Sequence, residues 1–134
     1  MQAITDKTSL HSIYVVDEEG VSNIFRELKE ILASQPNYHA TLIYSSPENS
    51  FIFDSELQIL QRRYPTQFIL YPVRQKVSDA STTLQELLEA IINSNTKDML
   101  TYILSGDEEL LHIVSNRLWF LDICKSQIKI YFLK

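Results

Sequence analysis

The chain has 134 residues, of which 45% are hydrophobic and 22% are charged, and its net charge is −5 at pH 7. A chain of this length forms one domain that buries roughly two-thirds of its unfolded surface, so it needs no metal or disulfide for stability. The acidic balance opposes nucleic acid binding, and no apolar run approaches the roughly 20 residues that span a bilayer. The single Cys124 excludes an internal disulfide. We therefore expect a cytoplasmic protein that binds neither nucleic acid nor membrane.

Five short apolar runs alternate along the chain with segments of helical periodicity, after a polar leader at 1–10 that does not resemble a signal peptide. This alternation is typical of a parallel sheet with helices on both faces. It predicts a single α/β domain at 11–134, a three-layer, doubly wound, five-stranded parallel sheet of order 3-2-1-4-5. The predicted strands are 12–16, 40–44, 67–73, 99–104 and 128–133.

Four helices are predicted between these strands, and their apolar residues recur every three or four positions. The first helix follows the first strand, and Ser22 is a plausible N-cap for it. The second helix carries acids in its first turn and ends at 64–65. Pro72 indicates that the third strand is an edge strand or ends there, because proline cannot donate a ladder hydrogen bond. The third and fourth helices are marked by apolar residues at Leu84, Leu87, Leu88, Ile91 and Ile92, and at Leu110, Leu111, Val114 and Leu118.

The turn after the first strand is the most informative segment, because it carries acids where a phosphate-binding loop carries glycines. A helix N-terminus after a buried parallel strand offers free backbone N–H groups and the positive end of a dipole to phosphate. Here Asp17, Glu18 and Glu19 occupy that approach. Their charge opposes phosphate, and their side chains prevent the close backbone approach that glycine allows.

Three segments resemble the nucleotide-binding domain of the ferredoxin–NADP reductase family. The turn at 17–23 reads DEEGVSN, similar to the family loop G-G-x-G-[IV]-[TS]-P, and the segment YILSGD at 102–107 is similar to the family's Y-[IV]-x-C-G-P. The second strand and helix, TLIYSS at 41–46 and IFDSEL at 52–57, resemble its LLYSNR and IFxxEL motifs. The resemblance extends over about residues 11–133.

This resemblance implies a site for NAD(P) at the carboxyl ends of the strands. The positions that it assigns to the cofactor are Gly20, Val21, Ser22, Ser45, Ser105 and Gly106. The departures argue against that chemistry, because Asp17 and Glu18 replace glycines and would block the pyrophosphate. The arginine that the family places near position 46 or 47 is also absent.

Two functions follow from the resemblance and its departures. In the first, the domain is degenerate, holds no cofactor tightly and acts as an interaction or regulatory module, alone or as a homodimer. In the second, it is an NAD(P)H-binding subunit that passes hydride to a separate flavoprotein. Ten leader residues are too few to form the flavin-binding barrel of complete reductases, so we expect any flavin domain to be a separate partner.

Other candidate sites favour ordinary structural roles. The acids at 17–19 and 107–109 would suit a divalent cation if they faced one another, but acidic runs at helix starts are usually solvated and complement the helix dipole. The three histidines, His11, His39 and His112, share no ligand spacing, so we expect ordinary surface or half-buried side chains. Ser105 has no histidine nearby to act as its base, and Cys124 has no activating charge. We therefore assign no catalytic residue and no metal ligand.

Aromatic residues are concentrated toward the C-terminus, at 119–120 and 131–132. We expect most of them to pack in the core or at the sheet edge. Part of this surface would face a flavin domain if the arrangement of the resembled reductases were kept.

Overall fold

The computed structural model describes residues 10–45, 53–73, 86, 89–90, 100–123 and 125–131. Its strands are β1 (Leu10–Val16), β2 (Tyr38–Ser45), β3 (Phe68–Val73), β4 (Leu100–Ser105) and β5 (Ile128–Tyr131). Its helices are α1 (Glu18–Ser34), α2 (Asp54–Arg63) and α3 (Glu108–Phe120), with a short 3-10 helix, Lys125–Gln127, before β5. Residues 86, 89 and 90 are also helical, and the rest of the helix predicted between β3 and β4 lies outside the described residues.

All five strands are parallel and form one sheet of order β3-β2-β1-β4-β5. The sequence-based prediction of the fold is therefore confirmed. The reversal of strand order lies between β1 and β4, the point where doubly wound folds bind ligands beyond the carboxyl ends of the strands.

Two apolar clusters cover the faces of the sheet. Alternate residues of the central strands point to opposite faces, so Ile13 and Val15 join the cluster under α3, whereas Tyr14 and Val16 join the cluster under α1 and α2. The inward positions predicted for the fourth helix are confirmed in α3, where Leu110, Leu111, Val114 and Leu118 are buried. In α1 the buried apolar side chains are Val21, Ile24, Leu28 and Leu32, and Phe25 and Ile31 pack against the same cluster in partly buried positions.

The predicted edge position of Pro72 is confirmed, because β3 is the outer strand on its side of the sheet. The amide of Ala40 in β2 donates to the carbonyl of Gln67 at 2.7 Å. In a parallel ladder, odd-numbered residues of β3 therefore face β2 and even-numbered ones face outward. Pro72 takes an outward position, so its missing N–H removes no bond from the sheet.

The start of α1 differs from the prediction, because its N-cap is Asp17 and the prediction of Ser22 as the cap is wrong. Asp17 has an extended backbone, φ −112° and ψ −166°, and its carboxylate accepts the Gly20 amide. Ser22 lies inside the helix, where its hydroxyl donates to the carbonyl of Glu19. An aspartate at this position outcompetes the later serine because it also satisfies the positive end of the helix dipole.

The aromatic pair at the end of α3 also differs from the prediction. Trp119 is 59% exposed and Phe120 is 74% exposed, so neither side chain is in the core. Their neighbours Val114 and Leu118 take the inward positions of the helix. The side chain of Tyr131 and residue Phe132 lie outside the described residues.

Gly20 allows α1 to approach β4 closely. A Cβ atom on Gly20 would lie 1.9 Å from the carbonyl oxygen of Ser105 and 3.0 Å from the Cβ of Val16. Because the obstacle is backbone, the helix itself would have to move to admit a side chain.

We therefore expect Gly20→Ala to destabilise the fold by about 3 kcal/mol or more, as overpacking against backbone does at its upper range. Urea unfolding followed by circular dichroism would measure the change. Ser22→Ala, two residues later on the exposed side of the same helix, is the matched control and should change stability by less than about 0.5 kcal/mol. A Gly20→Ala variant as stable as wild type would contradict the close packing described here.

Candidate functional site

The candidate site lies at the switch point, where the turn between β1 and α1 meets the turn between β4 and α3. Asp17 occupies the centre of this crevice. One of its carboxylate oxygens, Oδ1, accepts the backbone N–H of Gly20 at 2.8 Å, and the other, Oδ2, accepts the N–H of Asp107 at 2.9 Å. Only 8% of Asp17 is exposed. One side chain therefore links the N-termini of α1 and α3.

The expectation that Asp17 is a solvated residue is thus wrong. Its carboxylate forms hydrogen bonds to two backbone donors at the positive ends of two helices, and such charge-assisted bonds are the stronger kind. Its predicted role as a complement of the helix dipole is retained in a buried form. Glu19, in contrast, is exposed in the first turn of α1.

Gly106 makes room for this carboxylate. Its φ is +156°, a value that side chains disfavour, and a Cβ there would lie 2.7 Å from Cγ and Oδ2 of Asp17. The chain has two glycines in all, and both lie in this crevice. Because Gly20 has no side chain, the backbone of β4 can approach α1, and because Gly106 has none, the carboxylate of Asp17 fits beside it.

The second helix start in the crevice repeats the same capping scheme. Asp107 is the N-cap of α3, and its Oδ1 accepts the N–H of Leu110 at 2.9 Å. Its own N–H is the group that Asp17 binds. Two successive aspartate caps therefore connect α1 to α3 through one backbone amide.

A further hydrogen bond in the crevice joins Asn23 of α1 to Ser105, the last residue of β4. Ser105 is fully buried, and its hydroxyl accepts a hydrogen bond from the Asn23 side-chain amide at 3.2 Å. Asn23 stands where the loop of the resembled family has proline, and a proline side chain could not make this contact. The hydroxyl of Ser105 is used within the protein.

A third connection crosses the end of β2. The hydroxyl of Tyr44 donates to the carboxylate of Glu18, and it accepts a hydrogen bond from the backbone of Phe53, immediately before α2. Burial raises the pKa of Tyr44, and the hydrogen bond to the Glu18 carboxylate raises it further. Tyr44 is therefore a neutral donor across the physiological range.

The structure brings together Asp17, Glu18, Gly20, Ser105 and Gly106, and it separates Ser45 from them. Ser45 follows Tyr44 in β2, so its side chain points to the opposite face. Its hydroxyl is fully buried and has no hydrogen-bond partner among the residues that the structure describes. Val21 is buried in the core, whereas Ser22 is exposed.

Sequence reasoning missed the partners of these residues rather than the residues themselves. Tyr44 and Asn23 become part of the site through contacts 26 and 82 residues apart in sequence. The one available signal was the unusual acid pair in the first turn, which requires partners once it is placed at a buried edge.

The remaining candidates do not form a site in the described parts of the chain. Among those residues, no group of three or more histidine, cysteine, aspartate or glutamate side chains is arranged to hold a metal ion. His11 and His39 are half-buried and His112 is exposed, as expected for ordinary histidines. Cys124 lies outside the described residues. Within those residues, no helix is long and apolar enough to cross a membrane.

The strand order and the crevice at the switch point define a doubly wound α/β domain, and comparison with solved structures makes the fold more specific. Ferredoxin-NADP+ reductase from Plasmodium falciparum superposes with a TM-score of 0.76 at 18% identity, over 98% of this chain and 56% of that one. Flavohemoglobin from Malassezia yamatoensis, with bound FAD and heme, superposes with a TM-score of 0.71 at 14% identity, over 95% of this chain and 32% of that one. A ferredoxin NADP+ reductase from Neisseria gonorrhoeae, with bound FAD and NADP, has a TM-score of 0.61 and 13% identity, over 96% of this chain and 59% of that one.

The chain therefore has the fold of the NAD(P)-binding domain of ferredoxin reductase-type proteins, and it spans about half the length of the reductases that it matches. No protein-family model matches the sequence, and no curated protein sequence matches it.

We expect Asp17→Ala to cost about 1–3 kcal/mol of stability, because it leaves the buried N–H of Gly20 and the partly buried N–H of Asp107 without their acceptor. Urea unfolding of the variant would measure this loss. Glu19→Ala removes an exposed acid from the same turn and serves as the control, with an expected change within about 0.5 kcal/mol. Equal stability of the two variants would show that the Asp17 bridge contributes little.

Proposed function

We propose that this domain has lost tight NAD(P) binding and serves as an interaction or regulatory module. The observation that carries the proposal is the Asp17 carboxylate, which accepts two of the backbone N–H groups that face the crevice. Those groups are the kind of donor that a pyrophosphate needs at a helix N-terminus. In this chain an internal anion already uses them.

Charge adds to this obstruction. A pyrophosphate carries about two negative charges, and it would approach both Asp17 and Glu18. At an effective dielectric near 20, two unit charges about 4 Å apart interact by about 4 kcal/mol, so repulsion of a few kcal/mol is expected. That penalty is comparable to the whole binding free energy of a millimolar ligand, about 4 kcal/mol.

The exposed aromatic pair supports the interaction role. Because α3 begins at the carboxyl end of β4 and runs back along the sheet, Trp119 and Phe120 lie toward the amino ends of the strands, away from the crevice. The Arg117 guanidinium lies 4.9 Å from the centroid of the Phe120 ring and also forms an ion pair with Glu89. Arginine and large aromatic residues are enriched at the energetic centres of protein interfaces. A flavin-binding domain or a second copy of this chain is the proposed partner.

The retained glycines and the fold favour the second candidate function, an NAD(P)H-binding subunit that passes hydride to a separate flavoprotein. That function requires nucleotide affinity in the isolated domain. The two proposals therefore differ in the affinity that they predict between the isolated domain and NAD(P)H.

We expect NADH, NADPH and their oxidised forms to bind with a Kd above about 1 mM, which corresponds to less than about 4 kcal/mol. Isothermal titration calorimetry of the wild-type protein would test this. Micromolar binding would overturn the proposal in favour of the reductase subunit, with the first turn rearranged around the ligand.

The double variant Asp17→Gly/Glu18→Gly should recover measurable NADPH binding, because it removes two charges and two side chains from the crevice. Gly20 and Gly106 remain in place, and the helix N-terminus still supplies its donors. The recovered affinity should fall as salt is added, because part of the gain is relief of repulsion. The same titration of Glu19→Gly, an exposed neighbour, is the control.

No hydride transfer is expected from the double variant, because the variant has neither the ribose-side arginine nor a flavin. If the double variant remains folded and still binds no NADPH at millimolar concentration, the acids are not the main block. The segment at 45–50 and the turn at 105–107 would then be the next positions to change.

A further inference from the structure

The contact between Glu18 and Tyr44 is separate from the Asp17 bridge. Tyr44 has no exposed surface, and its hydroxyl lies between the Glu18 carboxylate in the first turn of α1 and the backbone of Phe53 at the start of α2. Tyr44 is in register with Val16, the last residue of β1, and both side chains belong to the cluster beneath α1. The contact therefore crosses the carboxyl end of β2.

The two acids of the first turn thus close two different sides of the switch point. Asp17 connects α1 with α3 on the β4 side. Glu18 connects α1 with Tyr44 of β2, whose hydroxyl also contacts the backbone of Phe53 before α2. A dinucleotide spans a crevice of this fold from one half of the sheet to the other, with its pyrophosphate at the first turn. Its two halves must therefore pass over both connections.

We infer that Glu18 and Tyr44 form a latch over the end of β2 that excludes a nucleoside, separately from the exclusion of phosphate by Asp17. This inference rests on the proposed function, because it divides the closure of the same crevice between two residues. In this division Asp17 excludes the pyrophosphate of a dinucleotide, and the Glu18–Tyr44 latch excludes its nucleoside. Removing Asp17 alone therefore opens the crevice to pyrophosphate but not to NADPH.

The two connections differ in how readily they open. Opening the Asp17 bridge leaves two backbone donors without an acceptor, unless a ligand anion replaces the carboxylate. Glu18 is half-buried and accepts from a neutral hydroxyl, so removal of that hydroxyl breaks this hydrogen bond while the carboxylate keeps its charge. The latch is therefore the part of the closure that a single conservative substitution can release.

The test separates the latch from the charge of Glu18, using variants made in an Asp17→Gly background. Tyr44→Phe removes the hydroxyl and releases the latch while the charge of Glu18 remains. Glu18→Gln removes the charge, but its amide oxygen can still accept from Tyr44, so the latch remains. Tyr14→Phe is the matched control, since it removes a hydroxyl that is bonded to Tyr38 at 2.6 Å, in the same core but away from the crevice.

Each protein is titrated calorimetrically with inorganic pyrophosphate and with NADPH, and its thermal unfolding is recorded so that all titrations use folded protein. All variants with Asp17→Gly should bind pyrophosphate more tightly than wild type does. NADPH should bind at least tenfold more tightly to Asp17→Gly/Tyr44→Phe than to Asp17→Gly or to the Tyr14→Phe control. Asp17→Gly/Glu18→Gln removes a charge but keeps the latch, so it should bind pyrophosphate and NADPH more tightly than Asp17→Gly by a similar factor, whereas the gain from Tyr44→Phe should be confined to NADPH.

Three results would overturn the latch: equal NADPH affinity in Asp17→Gly with and without Tyr44→Phe, a gain from Tyr44→Phe that is as large for pyrophosphate as for NADPH, or no NADPH binding when the latch is released. If Tyr44→Phe does not fold, Asp17→Gly/Glu18→Gly releases the latch from the other side, and its failure to exceed Asp17→Gly would also overturn it. Failure of the proposed function looks different. It would appear as micromolar NADPH binding to wild type, or as no gain in pyrophosphate binding on removal of Asp17.

Discussion

The hydrogen bonds from the N-termini of two helices to one buried carboxylate determine the structure at the carboxyl ends of the strands. Asp17 brings the N-termini of α1 and α3 to the same anion, and each supplies a backbone N–H within 2.9 Å. Both helices direct the positive ends of their dipoles toward this point, so a negative group is required to stabilise them together. At a helix N-terminus that binds phosphate, the ligand supplies such a charge, and in this chain the Asp17 carboxylate supplies one.

With an internal carboxylate in place of a ligand anion, the crevice becomes ordered without a bound ligand. A site built for phosphate leaves donors unsatisfied until the ligand arrives, and its loops lose entropy on binding. With Asp17 and Glu18 in place, the starts of all three helices with described bounds are joined by side chains. The edge is then assembled by folding alone, which suits a domain whose proposed role is contact with another protein.

The fold was predictable from sequence because alternating apolar runs specify buried parallel strands, and these were placed to within about two residues in the described parts of the chain. The acid pair at 17–18 was found for the same reason, since it interrupts a recognisable turn. The partners of these acids were not predictable. Tyr44 and Asp107 come into contact with them through the sheet order, and a local pattern such as Ser22 near a helix start cannot compete with a charge held between two dipoles. The exposure of Trp119 and Phe120 was missed because an aromatic residue contributes equally to a core or an interface pattern.

The position of Pro72 limits how this domain can associate. Along the six described residues of β3, outward N–H groups would belong to residues 68, 70 and 72, but the amide of Phe68 already donates to the carbonyl of Tyr64 and Pro72 has none. Leu70 is left as the single outward donor, too few to hold an added strand. The outer side of β3 is therefore a poor template for an added strand. An association on this side of the domain would rest on side-chain contacts rather than on main-chain pairing.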